Sequence, residues 1–308
     1  MLTILTAPPG LARWRKTTTA LLALSLLVAL LTLRETLLSA WYGNLGYLGL
    51  SRALLSPSSG NEALLSARAS FAQALARQGW NPSATWGLGS VYYHLGENDA
   101  AVEAWQGSES ALSRLLSSSD SAFKSQDYPL ALEMALLAQR LDPHSSSVRY
   151  RLGEAHGALG QLDRALEEYE RAKEYNTFLP GDEADLASCY FGQARVYEAL
   201  SNWEAAIWHY EAGLQIREDA GAYVALGEIY RYRLKDLETA ESLLKQAIAL
   251  EPRGAWWHVS LGEVYLAEEK YEQAVPEFER ALVLDPDNVS AQEGLGEALE
   301  ALRRYKDE

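Results

Sequence analysis

Histidine is the side chain most often used for acid–base catalysis and for binding zinc, and this chain of 308 residues has five of them. They stand at His94, His144, His156, His209 and His258. No two have the helical spacing that would aim two imidazoles at one metal ion, and none belongs to an HExxH motif. The histidines therefore predict neither a metal site nor a catalytic base.

Two short segments look like ligand-binding loops but lack their essential residues. The glycine-rich run from Gly153 to Gly160 has no Lys-Ser/Thr pair, which a phosphate-binding loop needs. The turn Asp285–Asn288 has neither the glycine nor the bidentate glutamate of a calcium loop. The single cysteine, Cys189, cannot form an intrachain disulfide. We therefore predict no cofactor, no metal and no enzymatic activity, and expect a protein that binds others.

The charge is strongly acidic and unevenly distributed. The net charge is −15, whereas residues 1–60 carry five basic residues and one acidic residue, which leaves −19 on the remaining 248. A nucleic-acid partner would need lysine and arginine clustered on one face, and this chain does not supply them. Nucleic acid is therefore excluded as an expected partner.

A pattern of small and aromatic residues recurs through most of the chain with a period of roughly 34 residues. Its fullest copy has Leu261, Gly262, Tyr265, Tyr271, Ala274, Phe278, Ala281 and Pro286. Weaker copies have Leu226, Gly227, Tyr230, Ala240, Ala247 and Pro252, and Leu152, Gly153, Ala165, Tyr169 and Ala172. The small residues suit close approach of two antiparallel helices, and the aromatic ones fill the space between helix pairs.

This period and these positions resemble the tetratricopeptide repeat. The resemblance implies an all-α fold, a right-handed α-solenoid of stacked helix-turn-helix units with a long concave groove. We read six units in residues 82–288, a juxtamembrane helix and a degenerate first unit in residues 34–81, and a capping helix in residues 289–308. The unit that starts at Ala220 has one extra residue near Arg233.

In this family the first helix of each unit forms the groove, which implies a set of partner-binding residues here. They are Trp86, Tyr93, Tyr150, Glu154, Phe191, Arg195, Glu228, Tyr232, Trp256 and Glu263. Such a groove is aromatic at one end and acidic at the other, so we expect a protein or peptide partner that is basic or rich in proline. Family members that grip a carboxyl terminus use basic residues where this chain has Glu154, Glu228 and Glu263. A carboxylate clamp is therefore not expected.

The amino-terminal region differs from the repeats. Residues 17–33 are free of charge, follow Arg13, Arg15 and Lys16, and would span roughly 25 Å as a helix. We predict a transmembrane helix that contacts lipid, with residues 1–16 as a cytoplasmic tail and the repeats on the outer side, because basic residues favour the cytoplasmic face.

Other interpretations of this region stay open. Cleavage as a signal peptide would release a secreted or periplasmic binding protein, although no small residue stands three positions before Ala40. Residues 36–55 could form a second span, but their glycines favour a helix that lies against the first repeat or the membrane surface. We predict a membrane-anchored scaffold or adaptor, with an accessory subunit of a larger membrane complex as the alternative.

Overall fold

The structure is a computed structural model, which describes the backbone of residues 9–55, 60–106, 108, 110–176 and 183–307. It describes the side chains of residues 25, 28–55, 60–106, 108, 110–175 and 186–305. The described chain is built from α-helices, which confirms the all-α prediction. The helices are α1 (Pro9–Leu55), α2 (Gly60–Arg77), α3 (Pro82–His94), α4 (Asn98–Gln106), α5 (Ala111–Lys124), α6 (Tyr128–Leu141), α7 (Ser146–Ala158), α8 (Leu162–Asn176), α9 (Glu183–Ala199), α10 (Trp203–Ile216), α11 (Ala220–Ile229), α12 (Leu237–Leu250), α13 (Ala255–Ala267), α14 (Tyr271–Leu284) and α15 (Val289–Asp307).

Consecutive helices pack against each other as antiparallel pairs. From α3 onward, each odd-numbered helix is the first of a pair and each even-numbered helix is the second, and α15 follows the last pair. In the pair α5–α6 the hydroxyl of Ser119 donates to the carbonyl of Ala131 at 2.8 Å. The chain divides into two compact units, residues 1–115 and residues 116–308.

The starts of several helices are fixed by polar side chains. Asp219 accepts a hydrogen bond from the backbone N–H of Ala222 at 2.9 Å, which satisfies one of the donors left free at the start of α11. The same arrangement is made by Asn81, Asp127, Ser145, Asn202, Asp236 and Asn288. These caps explain why each of these helices begins just after a short polar residue.

The turn inside each pair depends on one left-handed residue. Its φ is positive at Gly96, Gln126, Gly160, Ser201, Lys235 and Glu269. The next residue then donates its N–H to a carbonyl five residues back, as Lys270 does to Tyr265 at 2.8 Å. This hydrogen bond ends the first helix, and the turn reverses the chain so that the second helix runs back along the first.

One pair closes differently, because it has an extra residue. Asp236 donates its N–H to the carbonyl of Tyr230, six residues back rather than five, at 3.1 Å. Residues Tyr230–Leu234 accordingly form a π-helical turn at the end of α11. The extra residue predicted near Arg233 is accommodated in this turn, so the antiparallel pairing with α12 is kept.

The core of residues 116–308 repeats one motif, in which a ring from a second helix lies between two glycines. A Cβ at Gly153 or Gly192 would come within 2.7 and 2.4 Å of the Tyr169 ring. Phe278 has the same position between Gly262 and Gly294, where such a Cβ would come within 2.8 and 2.5 Å of its ring. Glycine is therefore required for these helices to approach the ring.

The amino-terminal helix α1 is continuous, and its carboxyl-terminal half packs on α2. The hydroxyl of Ser39 donates to the carbonyl of Ala74, and Gly46 lies against the ring of Phe71. Because α1 has no break between residues 33 and 36, residues 36–55 do not turn back as the second span of a hairpin. The carboxyl-terminal part of α1 lies against α2 and α3.

The predicted transmembrane segment, residues 17–33, lies mostly outside the residues whose side chains the structure describes. Within the described part of the chain, no helix combines the length and the apolar character that crossing a bilayer requires.

Candidate binding groove

Two open pockets lie side by side on the first helices α7, α9 and α11. The first, of about 220 Å³, is lined by Phe123, Glu154, Gly157, Ala158, Leu162, Tyr169, Gly192, Arg195, Val196 and Ala199. The second, of about 310 Å³, is lined by Tyr150, Ser188, Phe191, Arg195, Tyr210, Arg217, Asp219, Gly221, Ala222 and Ala225. Arg195 lines both pockets. The structure thus brings together four predicted groove residues, Tyr150, Glu154, Phe191 and Arg195.

The carboxylate of Glu154 is held by hydrogen bonds and is not available as a free anion. Its side chain is almost buried, and it accepts hydrogen bonds from the hydroxyl of Tyr150 at 2.8 Å and from Nη1 of Arg151 at 2.7 Å. Burial raises the pKa of Tyr150, and the charge of Glu154 raises it further, so this hydroxyl stays protonated and donates. Arg151 also pairs with Asp120 at 3.1 Å.

Arg195, in contrast, keeps about half of its side chain open to solvent. Its side chain is 55% exposed, and its Nη2 lies 3.9 Å from Oε1 of Glu154, at the limit of an ion pair. The hydroxyl-bearing rings of Tyr150 and Tyr169 line the pockets on either side of it. The guanidinium also interacts with the hydroxyls of Tyr150 and Tyr169, and because it has five N–H donors, some remain for a ligand.

Aromatic side chains form the floor of the second pocket. Phe191 is buried, and its ring lies 6.5 Å from that of Tyr210 and directly against Gly213. The guanidinium carbon of Arg217 is 5.7 Å from the centre of the Phe191 ring. Phe191 therefore supports the second pocket from the protein interior and offers little accessible surface to a ligand.

Farther along residues 116–308, two predicted groove carboxylates share one buried arginine. Arg231, in the π-helical turn, pairs through Nη2 with Glu228 at 2.9 Å and through Nη1 with Glu263 of α13 at 2.6 Å. Its guanidinium carbon lies 3.8 Å from the ring centre of Tyr232, which is exposed, as is Trp256. This end of the predicted groove was expected to be acidic, and the single positive charge of Arg231 offsets half of the charge of these two carboxylates.

The predicted groove residues of the other unit are stacked on neighbouring side chains. Trp86 lies on Trp105 with ring centres 5.2 Å apart and planes 22° apart, and the guanidinium of Arg114 lies 5.1 Å from its centre. Tyr93 is partly buried, 6.5 Å from the ring of Trp105. These rings are thus only partly open to a ligand.

Sequence reasoning missed two basic residues of these surfaces. Arg217 lies in the turn before α11, outside the first helices from which the groove residues were taken, and Arg231 was not assigned any role. The sequence does contain a signal for Arg231. The extra residue near Arg233 marks the π-helical turn, and this turn places the side chain of Arg231 in the protein interior. Among the described residues, no group of three or more His, Cys, Asp or Glu is arranged to hold a metal ion.

Repeat family models match most of the helix pairs. Models of the tetratricopeptide repeat match residues 64–107, 145–219 and 220–253, and a model of the TPR repeat matches residues 262–302. The chain carries tetratricopeptide repeats. These matches confirm the resemblance on which the predicted all-α solenoid was based.

Two curated relatives match part of the repeats. Lipopolysaccharide assembly protein B of Escherichia coli (strain K12) is 27% identical over 146 residues, which cover 46% of this chain and 36% of that protein. Protein O-mannosyl-transferase TMTC1 of Homo sapiens is 24% identical over 215 residues, which cover 68% of this chain and 24% of that protein. The chain thus spans about a third or less of the length of these relatives.

Solved structures of similar fold include other TPR proteins. A tetratricopeptide repeat protein from Parabacteroides merdae has a TM-score of 0.48 and 16% identity, with 83% of this chain and 99% of that chain covered. Cut9–Hcn1 of the APC/C has a TM-score of 0.47 and 18% identity, with 87% and 46% covered. YrrB, described as a TPR protein with an unusual peptide-binding site, has a TM-score of 0.41 and 15% identity, with 72% and 96% covered.

Proposed function

We propose that this protein is a scaffold whose TPR units bind an extended segment of a partner protein across the two pockets on α7, α9 and α11. The observation that carries the proposal is the half-exposed side chain of Arg195, which lines both pockets. An extended peptide needs partners for its main-chain carbonyls, and a guanidinium supplies several donors in one plane. The aromatic walls supply the apolar contact.

The charges favour an acidic group of the partner next to Arg195. Glu154 is paired with Arg151, and Glu228 and Glu263 share Arg231, so each of these carboxylates already has an arginine partner. A basic partner, as first predicted, would have to break such pairs. A proline-rich segment still fits, because proline packs on tyrosine rings such as Tyr150 without needing a donor.

Binding can be tested with an array of ten-residue peptides of matched length, in acidic, basic and proline-containing series. We expect the full chain to retain peptides that combine proline with an acidic residue, and R195E to lose the acidic ones at least tenfold. R304E is the matched control, because Arg304 is an exposed arginine of α15 and the charge change is identical. Equal binding by the wild-type chain and R195E would refute the proposed site.

We also propose that residues 17–33 anchor the scaffold in a membrane as a single span. The supporting observation is that Val28, Leu30, Leu31 and Leu33 are all about half exposed although they point to different sides of α1. A helix that is apolar on every side and uncovered by protein is stable only in an apolar environment. The basic residues before it favour a cytoplasmic amino terminus.

The anchor can be tested by fractionating cells that express the full chain and washing the membranes with carbonate. A retained span predicts that the chain stays in the washed membranes and keeps the mass of its intact amino terminus. Release after cleavage would instead support the secreted or periplasmic binding protein. A protease added from outside to sealed cells should reach the repeats. If the repeats are protected, the proposed orientation is wrong.

A further inference from the structure

The strongest unexplained surface is an apolar stripe along α1. It consists of Leu30, Leu37, Trp41, Leu48 and Leu55, which we call the α1 stripe, and each of these side chains is 54–83% exposed. At 3.6 residues per turn they lie within an arc of about 40°. Five large apolar side chains on one line of a helix are more than the scattered exposure that a protein surface normally shows.

The α1 stripe is on the side of the helix away from α2. Gly46, Leu50 and Ala53 are buried against α2 and α3, and they lie opposite the stripe on the helical wheel. The α1 stripe therefore does not belong to the core that α1 forms with the other helices of residues 1–115. It is a second apolar face of the same helix.

The spacing of the α1 stripe matches that of a helix that pairs with another helix. Its residues are 7, 4, 7 and 7 positions apart, which is the sequence of intervals in a heptad repeat. Covering these side chains would bury roughly 600 Å² per chain, or about 1,200 Å² in a pair, which reaches the lower limit of specific interfaces. Asn44 falls on the same seam between Trp41 and Leu48, where the amides of two copies can hydrogen-bond to each other.

We propose that the α1 stripe pairs with the same stripe of a second copy of this chain, in a parallel two-helix arrangement. Two chains anchored by the same segment enter the membrane in one direction and to one depth, so their stripes meet in register. Lipid is a poorer occupant, because Leu55 lies about 33 Å along a straight helix beyond Leu33, where the predicted span ends. The parallel direction rests on the proposed anchor, whereas the pairing itself rests on the stripe.

Cysteine crosslinking tests the pairing in the full chain in native membranes. L37C, L48C and L55C should each form a disulfide-linked dimer on mild oxidation, because in a parallel pair each residue faces its own copy. The matched control is L54C: Leu54 is 58% exposed, close to the 68% of Leu48, but lies about 120° away around the helix. Cys189 is buried and can remain in all variants.

Each result has a defined meaning. Crosslinking at the three stripe positions at least fivefold above L54C supports the parallel pair. Equal crosslinking of L48C and L54C, a product that contains another protein, or quenching of a dye on L48C by lipid-borne nitroxides would each overturn it. Dimers from L48C without dimers from L37C or L55C would overturn the parallel direction. Membrane fractionation separately reports a failure of the anchor.

Discussion

Gly294 of α15 lies so close to the ring of Phe278 that a Cβ at this glycine would be 2.5 Å from the nearest ring carbon. The ring fills the space between the last helix pair and α15, and it is fully buried there. The contact joins two consecutive elements of the repeat array through one side chain. It therefore gives a direct test of how tightly the array is packed.

We expect G294A to destabilise the protein by about 1–3 kcal/mol, because the added methyl group must displace a ring that has no free space. The measurement is the free energy of unfolding by urea. G296A is the matched control on the same helix, since no atom lies within 4 Å of a Cβ there. It should be neutral or stabilise by up to about 1 kcal/mol, because alanine favours helix more than glycine does. Equal effects of the two changes would contradict the packing described.

Removal of the Arg231 guanidinium should be costly. R231M leaves Glu228 and Glu263 without their shared cation, and we expect a loss of about 3–5 kcal/mol in the free energy of unfolding. The double variant R231M/E263Q should recover part of this loss, since one of the uncompensated charges is then gone. For comparison, R304M breaks an exposed pair with Glu300 and should change stability by less than about 1 kcal/mol.

Stability should fall in mild acid because of His209. This side chain is buried among Tyr190, Tyr197 and Trp208, and burial, with a smaller contribution from the charge of Lys173, lowers its pKa to about 4. The unfolded chain therefore binds a proton at higher pH than the folded one. The contribution of neutral His209 to the free energy of unfolding is complete above pH ~6.5. It is lost as the pH falls toward 4, and the loss is at most about 3 kcal/mol.

The check is the midpoint of thermal unfolding between pH 7 and pH 4. H209Q should flatten this dependence on pH, since glutamine does not titrate. H144Q is the control, because His144 is exposed, and it should leave the dependence unchanged. An unchanged slope in H209Q would show that other groups cause the acid sensitivity.

Glycine should be favourable at the left-handed turn residues that are not glycine. Glu269 has φ of 59°, a conformation that costs an L-residue with a Cβ roughly 1 kcal/mol. We expect E269G to raise the free energy of unfolding by up to about 1 kcal/mol, less the entropy that glycine adds to the unfolded chain. G160A is the reverse change at an equivalent turn with φ of 72°, and it should destabilise by about 1 kcal/mol. A stabilising G160A would contradict the turn geometry.

The helix pairs could be predicted from the sequence because their signals are local. Small and aromatic residues such as Gly262 and Phe278 recur at a fixed period, and this period placed Tyr150 and Arg195 on neighbouring first helices, where they line one pocket. The pairing of charges could not be predicted in the same way. Arg231 contacts one carboxylate three residues before it and another on the next first helix, and both contacts depend on side-chain rotamers and the π-helical turn.

For the same reason the sequence did not reveal the arginine partners of the predicted groove carboxylates. Glu154, Glu228 and Glu263 stand at positions expected to meet a ligand, but whether a carboxylate is free depends on which arginine reaches it, from the next helical turn or from a neighbouring helix. The left-handed turns were not predicted either. Only two of the six residues are glycine, so the usual composition signal of such a turn is present at Gly96 and Gly160 and is missing elsewhere.

The unbroken course of α1 has a mechanical consequence. One end of this helix enters the predicted span, and the other end forms a wall of the core around Phe71. A rotation or a vertical displacement of the amino-terminal end is therefore transmitted to α2 and α3 as a rigid movement, because no flexible linker intervenes to absorb it. If residues 17–33 span a membrane as proposed, the first helix pairs would tilt together with that span.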